Sequence, residues 1–280
     1  MSETPVPLPI SKLLLPPDAL AACLFAGIYR DTRGVPLSDA DRINHFPASP
    51  LVSVSYVIHG ALRDISAVKR PPGMTMGTAF PRCFAMGPSD APVSSWSPQE
   101  VTAITIGIYH DAWLRIGGDP DFQAVPGWIE TALARFGTAP EPRQGWETLC
   151  AAFEQIWRDA RPAGWRKLGG IADWAQAATT RAALSGAGRS LRSIERRLKQ
   201  TSGQNQRALN FYAAFENLHH TVQRHPESTL AEIALEAGYS DQSHMGRAVR
   251  RATGFSPARL NKAIQTDEAF WCYRLLGERL

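Results

Sequence analysis

The stretch Ala237-Gly-Tyr-Ser-Asp-Gln-Ser-His-Met-Gly-Arg-Ala-Val-Arg-Arg-Ala-Thr-Gly-Phe-Ser-Pro257 decides how this chain is read. It follows Pro226-Glu-Ser-Thr-Leu-Ala-Glu-Ile-Ala-Leu-Glu236. Thr229, with Glu232 three residues on, forms a capping-box pattern at a helix start. Leu230, Ile233 and Ala234 give that helix an apolar stripe, and Gly238 suits a left-handed stop. Ser240 is expected to cap a second helix, with Asp241 in its first turn. Met245 and Val249 lie one turn apart and face back onto the first helix. Ala234 is small where the two helices cross. Two helices joined by such a turn form a helix-turn-helix. The outward face of the second helix carries Gln242, Ser243, Gly246, Arg247 and Arg250. Gln and Arg have the geometry for bidentate contacts to adenine and guanine edges. His244 is counted with these reading residues, and Arg251 at the helix end is expected on phosphate.

The pattern over 237–257, a turn Gly, an aromatic, Ser, a polar helix with Arg, then Thr-Gly-Phe-x-Pro, closely resembles the signature of AraC/XylS-type transcriptional regulators. The resemblance implies two helix-turn-helix units joined by a long helix, behind a regulatory domain that is often a cupin-like barrel. It implies double-stranded promoter DNA as partner. RNA polymerase, a small-molecule effector and a second copy of the chain follow as further expectations. Neither cofactor nor enzymatic activity is expected.

The first unit is sought upstream. Ser190-Leu-Arg-Ser-Ile-Glu-Arg-Arg-Leu-Lys-Gln-Thr-Ser-Gly203 fits its reading helix. Ser190 caps, Ile194 and Leu198 face inward, and Arg192, Glu195 and Arg196 face outward. Pairing Ile194 with Met245, Arg196 with Arg247 and Leu198 with Val249 gives one constant offset of 51 residues. Between the units, Leu209, Tyr212, Phe215, Leu218 and Val222 step by three or four, as an amphipathic linker helix requires. The first unit departs from the pattern in two places. Leu184 stands where a small residue is expected, and Ser202-Gly203-Gln204-Asn205 replaces Gly-Leu-Ser-Pro. A distorted first unit is the expectation.

Charge agrees with this placement. Between Gly186 and Lys262 there are twelve basic and six acidic residues, a net +6, which leaves −2 for the rest of a chain whose total is +4. Clustered positive charge suits a phosphate-facing surface. The composition, 44% hydrophobic and 20% charged, is that of a globular protein with real cores. No apolar run reaches the roughly 18–20 residues of a membrane helix, and Met1-Ser-Glu-Thr-Pro-Val-Pro-Leu-Pro lacks a secretory pattern. A cytoplasmic location away from membranes is expected, with Cys23, Cys83, Cys150 and Cys272 as reduced thiols.

The N-terminal half reads as mostly β over about residues 10–118. Leu51–Leu62, Cys83–Met86 and Val101–Tyr109 read as strands, and a helix is expected near Pro17–Ile28. Two helices follow from Trp128, joined by the Pro-rich Thr138–Arg143. The fold class is therefore α+β. A mostly β, cupin-like sensory domain with trailing helices occupies 1–165. An all-α domain with two helix-turn-helix units and a linker helix covers 166–265, and a tail covers 266–280.

A cupin enzyme is disfavoured because His45, His59 and His110 are singletons rather than a metal-binding cluster. His219, His220 and His225 lack acidic or Cys companions, so no metal site is expected. A repair methyltransferase needs a reactive Cys, and Pro81-Arg82-Cys83-Phe84 lacks the companions. A purely structural partner domain is the remaining rival to a sensor. Trp96, Trp113 and Trp128 read as core residues ahead of pocket lining.

Overall fold

A computed structural model describes residues 7–66, 77–162, 165–185, 190–225 and 227–279. All its strands lie before Tyr109, and from Trp113 onward its regular elements are helices.

The pattern Val52-Ser-Val-Ser-Tyr56 shows how the β half is built. It lies in β4 (Val52–His59), inside an antiparallel five-stranded sheet. Its neighbours are β1 (Ile10–Leu14), β2 (Leu24–Asp31), β7 (Cys83–Met86) and β9 (Thr102–Ile108), in the order β1-β2-β9-β4-β7. Alternation puts successive side chains on opposite faces. On one face the register aligns Tyr29, Ile104, Tyr56 and Cys83 in one row and Gly27, Ile106, Val54 and Ala85 in the next. Three helices cover that face: α1 (His110–Arg115), α2 (Gly127–Thr138) and α3 (Pro142–Ala160). Trp146 of α3 lies so close to Gly27 that a Cβ there would stand 2.6 Å from its ring. Only glycine admits this approach.

On the opposite face the rows read Ile28–Thr105–Ser55–Phe84 and Ala26–Gly107–Ser53–Met86. This face looks across at the second antiparallel sheet. That sheet contains β3 (Ile43–Phe46), β5 (Arg63–Asp64), β6 (Thr78–Ala79) and β8 (Val93–Trp96), in the order β3-β8-β5-β6. The two sheets form the cupin-like double-sheet domain. In the two central strands, β9 and β4, the large side chains Ile104, Ile106, Val54 and Tyr56 lie on the helix side, and Thr105, Gly107, Ser53 and Ser55 lie on the sandwich side.

The expected helix near Pro17–Ile28 is absent. Asp18–Leu20 forms one 3-10 turn, and Leu24 onward is β2. This strand pairs on both edges and is buried along both faces, so its apolar run carries no alternation. Such a run cannot be told from a buried helix by period.

The helical half contains α4 (Ile171–Leu184), α5 (Leu191–Ser202), α6 (Gln206–Arg224), α7 (Leu230–Glu236), α8 (Gln242–Thr253), α9 (Pro257–Thr266) and α10 (Trp271–Arg279). Two larger cores divide it, and a smaller one holds Trp271, Cys272 and Leu275 of α10. Trp174, Ala178 and Ala182 of α4, Leu198 of α5 and Leu209 of α6 belong to the same hydrophobic core as the β half. A second core joins Tyr212 and Phe215 of α6 to Ile233, Ala234, Met245, Val249 and Leu260, with Ala48 as the β half's buried contribution.

The segment after 266, read as a tail, holds the buried helix α10. It packs on β1 and β3. The Trp271 indole N–H donates to Asn44 Oδ1 (2.8 Å), and the ring lies under the Arg30 guanidinium at 5.0 Å. Arg30 also holds Glu268 at 2.7 Å.

Candidate nucleic-acid interface and the cavity behind it

In the second unit, the Thr229 hydroxyl oxygen accepts from the Glu232 N–H while the Glu232 carboxylate accepts from the Thr229 N–H, completing the capping box. Gly238 follows α7 with φ +86°. The cap of α8 is Asp241, not Ser240: its carboxylate accepts from the His244 N–H at 2.7 Å. Asp241 is fully extended (φ −164°, ψ 169°), which leaves its side chain facing the open N–H groups. Those hydrogen bonds hold its carboxyl below the usual range. Ser240 braces the turn instead, through its hydroxyl to His244 Nδ1 at 3.1 Å.

The first unit repeats this construction at 51 residues. Ser190 caps α5 where Asp241 caps α8. Gly203 (φ +70°) and Gly254 (φ +81°) end the two reading helices. Just before them, the Ser202 hydroxyl donates to the Leu198 carbonyl and accepts from Gln204 N–H; Thr253 does the same with Val249 and Phe255. Asn205 caps α6 where Ser256 stands at the start of α9. The first unit is therefore not distorted at 202–205. Ser202 supplies the bonds that Thr253 makes, and Asn205 adds a side-chain cap to the Ala208 N–H that Ser256 lacks. Leu184 does not occupy the helix crossing either. It is exposed at the end of α4, and Ala178 and Ala182 make the buried contact. The turn residues 186–189, Gly188 among them, lie outside the described residues.

Arg192, Glu195 and Arg196 on α5, and Gln242, Ser243, His244 and Arg247 on α8, are all exposed. Met245, Val249 and Leu198 are buried, while Ile194 is half-buried. Arg250 is exposed one turn beyond Gly246. A Cβ on Gly246 would meet nothing within 4 Å. The outward face of α8 is thus stripped to backbone at its middle, where a groove wall can approach closely. Arg251 is placed differently. It pairs with Asp90 in the β7–β8 connection at 3.1 Å and lies over the Phe211 ring at 4.3 Å.

Both units are tied to the β half. For the first, the Asp111 carboxylate of α1 accepts from Trp174 Nε1 at 2.9 Å and from Arg181 at 2.5 Å. Burial pushes the Asp111 carboxyl up, against the opposing pull of Arg181 and the Trp174 N–H. His110 Nδ1 lies 3.0 Å from the Thr201 carbonyl of α5. For the second, the Ala48 N–H donates to the Ala252 carbonyl (2.7 Å), and the Tyr212 hydroxyl of α6 donates to the Ser89 carbonyl (3.0 Å). His45 packs edge-on to Phe255 and tilted against Phe270.

Burial pulls the pKa of His45 down from 6.5 to about 4, and Arg259 adds to the effect. His219 falls to about 4 for the same first reason, with His220 adding to it. Both rings are neutral in the folded state and charge readily once unfolded. The protein should therefore lose stability as pH drops from about 6.5 towards 4. His45→Gln, which takes up no proton, is expected to flatten part of that loss in thermal melts. A loss of equal steepness in the variant would remove His45 from this account.

Behind the helices, between the two sheets, lies a cavity of about 220 Å³. Ser53, Ser55, Thr105 and Gly107 form its floor, and Phe46, Phe80, Phe84 and Met86 are among its apolar walls. Its far wall is α6, through Tyr212, Phe215, Glu216 and His219, together with Tyr273 and Leu276 of α10. Trp96, Trp113 and Trp128 do not line it. The Glu216 carboxylate accepts the N–H groups of Ile171 (2.8 Å) and Ala172 (2.6 Å), holding the start of α4. One helix thus touches the cavity, the leading helix of the first unit and the core of the second. Sequence reasoning missed these residues, apart from the apolar stripe of α6.

Residues 185–263 match the family described as helix-turn-helix domain. No curated protein matches the chain. Among solved structures, an apo form of ToxT from Vibrio cholerae strain SCE256 is similar at 10% identity and TM-score 0.38, covering 84% of this chain and 96% of that one. Another crystal form of ToxT from Vibrio cholerae gives 11% and 0.38, covering 78% and 93%. Unsaturated fatty acid bound wild-type ToxT from strain SCE256 gives 10% and 0.37, again covering 78% and 93%. With the paired units, their caps and the family match together, residues 185–263 of this chain form a helix-turn-helix domain.

Proposed function

We propose that the protein reads an asymmetric promoter site by laying α5 and α8 in successive major grooves, about 34 Å apart along the duplex, under control of a small molecule held between the sheets. The observation that carries the reading is the 51-residue repeat, which extends from the caps to the terminal glycines. In this reading Arg192, Glu195 and Arg196 face one groove, and Gln242, Ser243, His244 and Arg247 face the next. Arg251 reaches phosphate only by leaving Asp90. One chain supplies both reading helices, so the reading needs no second copy. Domain limits of 1–165 and 166–265 follow the function, although the first core crosses them. Control by a small molecule, over a purely structural β half, is favoured by the cavity and its α6 wall.

Selection from random duplex DNA tests the reading. Two conserved blocks about ten base pairs apart are expected; a single short block would remove the first unit from it. Gly246→Ala supplies a second check. Alanine is the better helix former by about 1 kcal/mol, so the variant should melt higher. It should also bind its site more weakly, because the added methyl meets the groove wall. Unchanged affinity would place the middle of α8 away from DNA.

A further inference from the structure

We propose that the cavity between the sheets takes a neutral, largely apolar small molecule bearing one hydroxyl or carbonyl group, and rejects carboxylates and other anions. This rests on the reading of the β half as a sensor and names the chemistry that it senses.

Size comes first. Cavities of about 150 Å³ with apolar walls already take benzene, so about 220 Å³ holds a medium-length chain or a substituted ring. The walls are dominated by Phe, Met and Leu side chains, which reward apolar surface.

Charge comes second. Among the described residues, no Lys or Arg lines the cavity. Its carboxylate, Glu216, is spent on the Ile171 and Ala172 N–H groups. His219 stacks edge-on to Phe215 at 4.7 Å, and burial keeps its ring neutral. A bound carboxylate would meet no positive partner among the described residues and would face Glu216, and unpaired buried charge is strongly disfavoured.

The polar groups that remain call for a hydrogen bond, not an ion pair. Ser55 and Thr105 are bonded to one another across the floor at 2.8 Å. Tyr273, 3% exposed, lines the cavity, and its buried hydroxyl has no hydrogen-bond partner among the described residues. A ligand hydroxyl or carbonyl that reaches it would complete this buried group.

The test uses the full chain without DNA, titrated with 1-octanol and with sodium octanoate at neutral pH by calorimetry and thermal melting. Octanol should bind and raise the melting temperature, and octanoate should bind at least 10-fold more weakly. Tyr273→Phe should weaken octanol by about 2- to 10-fold, the share of one neutral hydrogen bond, while melting no lower in the absence of ligand. Ser53→Leu, which projects into the cavity, should abolish binding. Octanoate binding as tightly as octanol would overturn the proposed class and leave the sensor reading standing. Failure of both compounds to bind would overturn the class as well. Octanol bound with no change in DNA affinity would keep the class and overturn the sensor reading.

Discussion

Trp174→Ala is expected to destabilise the β half and the first reading unit together. Trp174 lies on α4, fully buried, and stacks against Tyr109 at 5.6 Å. Its indole N–H satisfies the buried Asp111 carboxylate. Truncating a buried Trp to Ala typically costs about 3–5 kcal/mol, and the lost donor deprives Asp111 of one of its partners. Because the first core runs through both halves, urea unfolding should show the transition of the β half shifted by this amount. Met245, in the second core, is a control: Met245→Ala should act mainly on the second unit. A Trp174→Ala protein whose β half unfolds as in the parent would show that the halves do not share a core.

The next largest effect is expected on DNA. Arg247 is exposed on the outward face of α8, beside the bare backbone of Gly246 and one turn after Gln242 and Ser243. A guanidinium that reads a guanine edge contributes about 1–3 kcal/mol of discrimination. Arg247→Ala should thus weaken specific binding about 5- to 150-fold and relax preference at one base position. A phosphate contact gives another signature: a near-uniform loss on all sequences and a salt slope reduced by about one unit. Arg251→Ala should follow that second pattern weakly, because Arg251 must first part from Asp90 and Phe211. Titrations against specific and scrambled duplexes at several salt concentrations separate the two. Equal loss on both duplexes for Arg247→Ala would assign Arg247 to the backbone.

The second unit was legible in sequence because its signals are local. Thr229, Glu232, Gly238 and the Met245/Val249 pair act within one or two turns, so spacing alone states their roles. The cap at Asp241 rather than Ser240 shows the limit: two adjacent capping residues are separated by backbone dihedrals, which a sequence does not display. In the β half, β4 was legible by its alternation, but the meaning of its polar face was not. Ser53 and Ser55 look like a solvated face. They are instead the floor of a cavity closed by a second sheet whose short strands, such as Arg63–Asp64, leave almost no pattern. The strand β2 was hidden because burial on both faces erases the alternation. The docking of α10 on the β half is not legible either, because its partners Arg30 and Asn44 lie more than 220 residues away. The pairing of Arg251 with Asp90 is hidden for the same reason, since the two lie 161 residues apart.

In the proposed reading, one chain reads DNA with two helices one turn apart. Hydroxyl-radical footprinting on a selected site tests it most directly, comparing the parent protein with Arg196→Ala and Arg247→Ala. The account predicts two protected blocks on one face of the duplex, about ten base pairs apart, with Arg196→Ala weakening one block and Arg247→Ala the other. A single protected block, or two blocks that both variants leave intact, would contradict it.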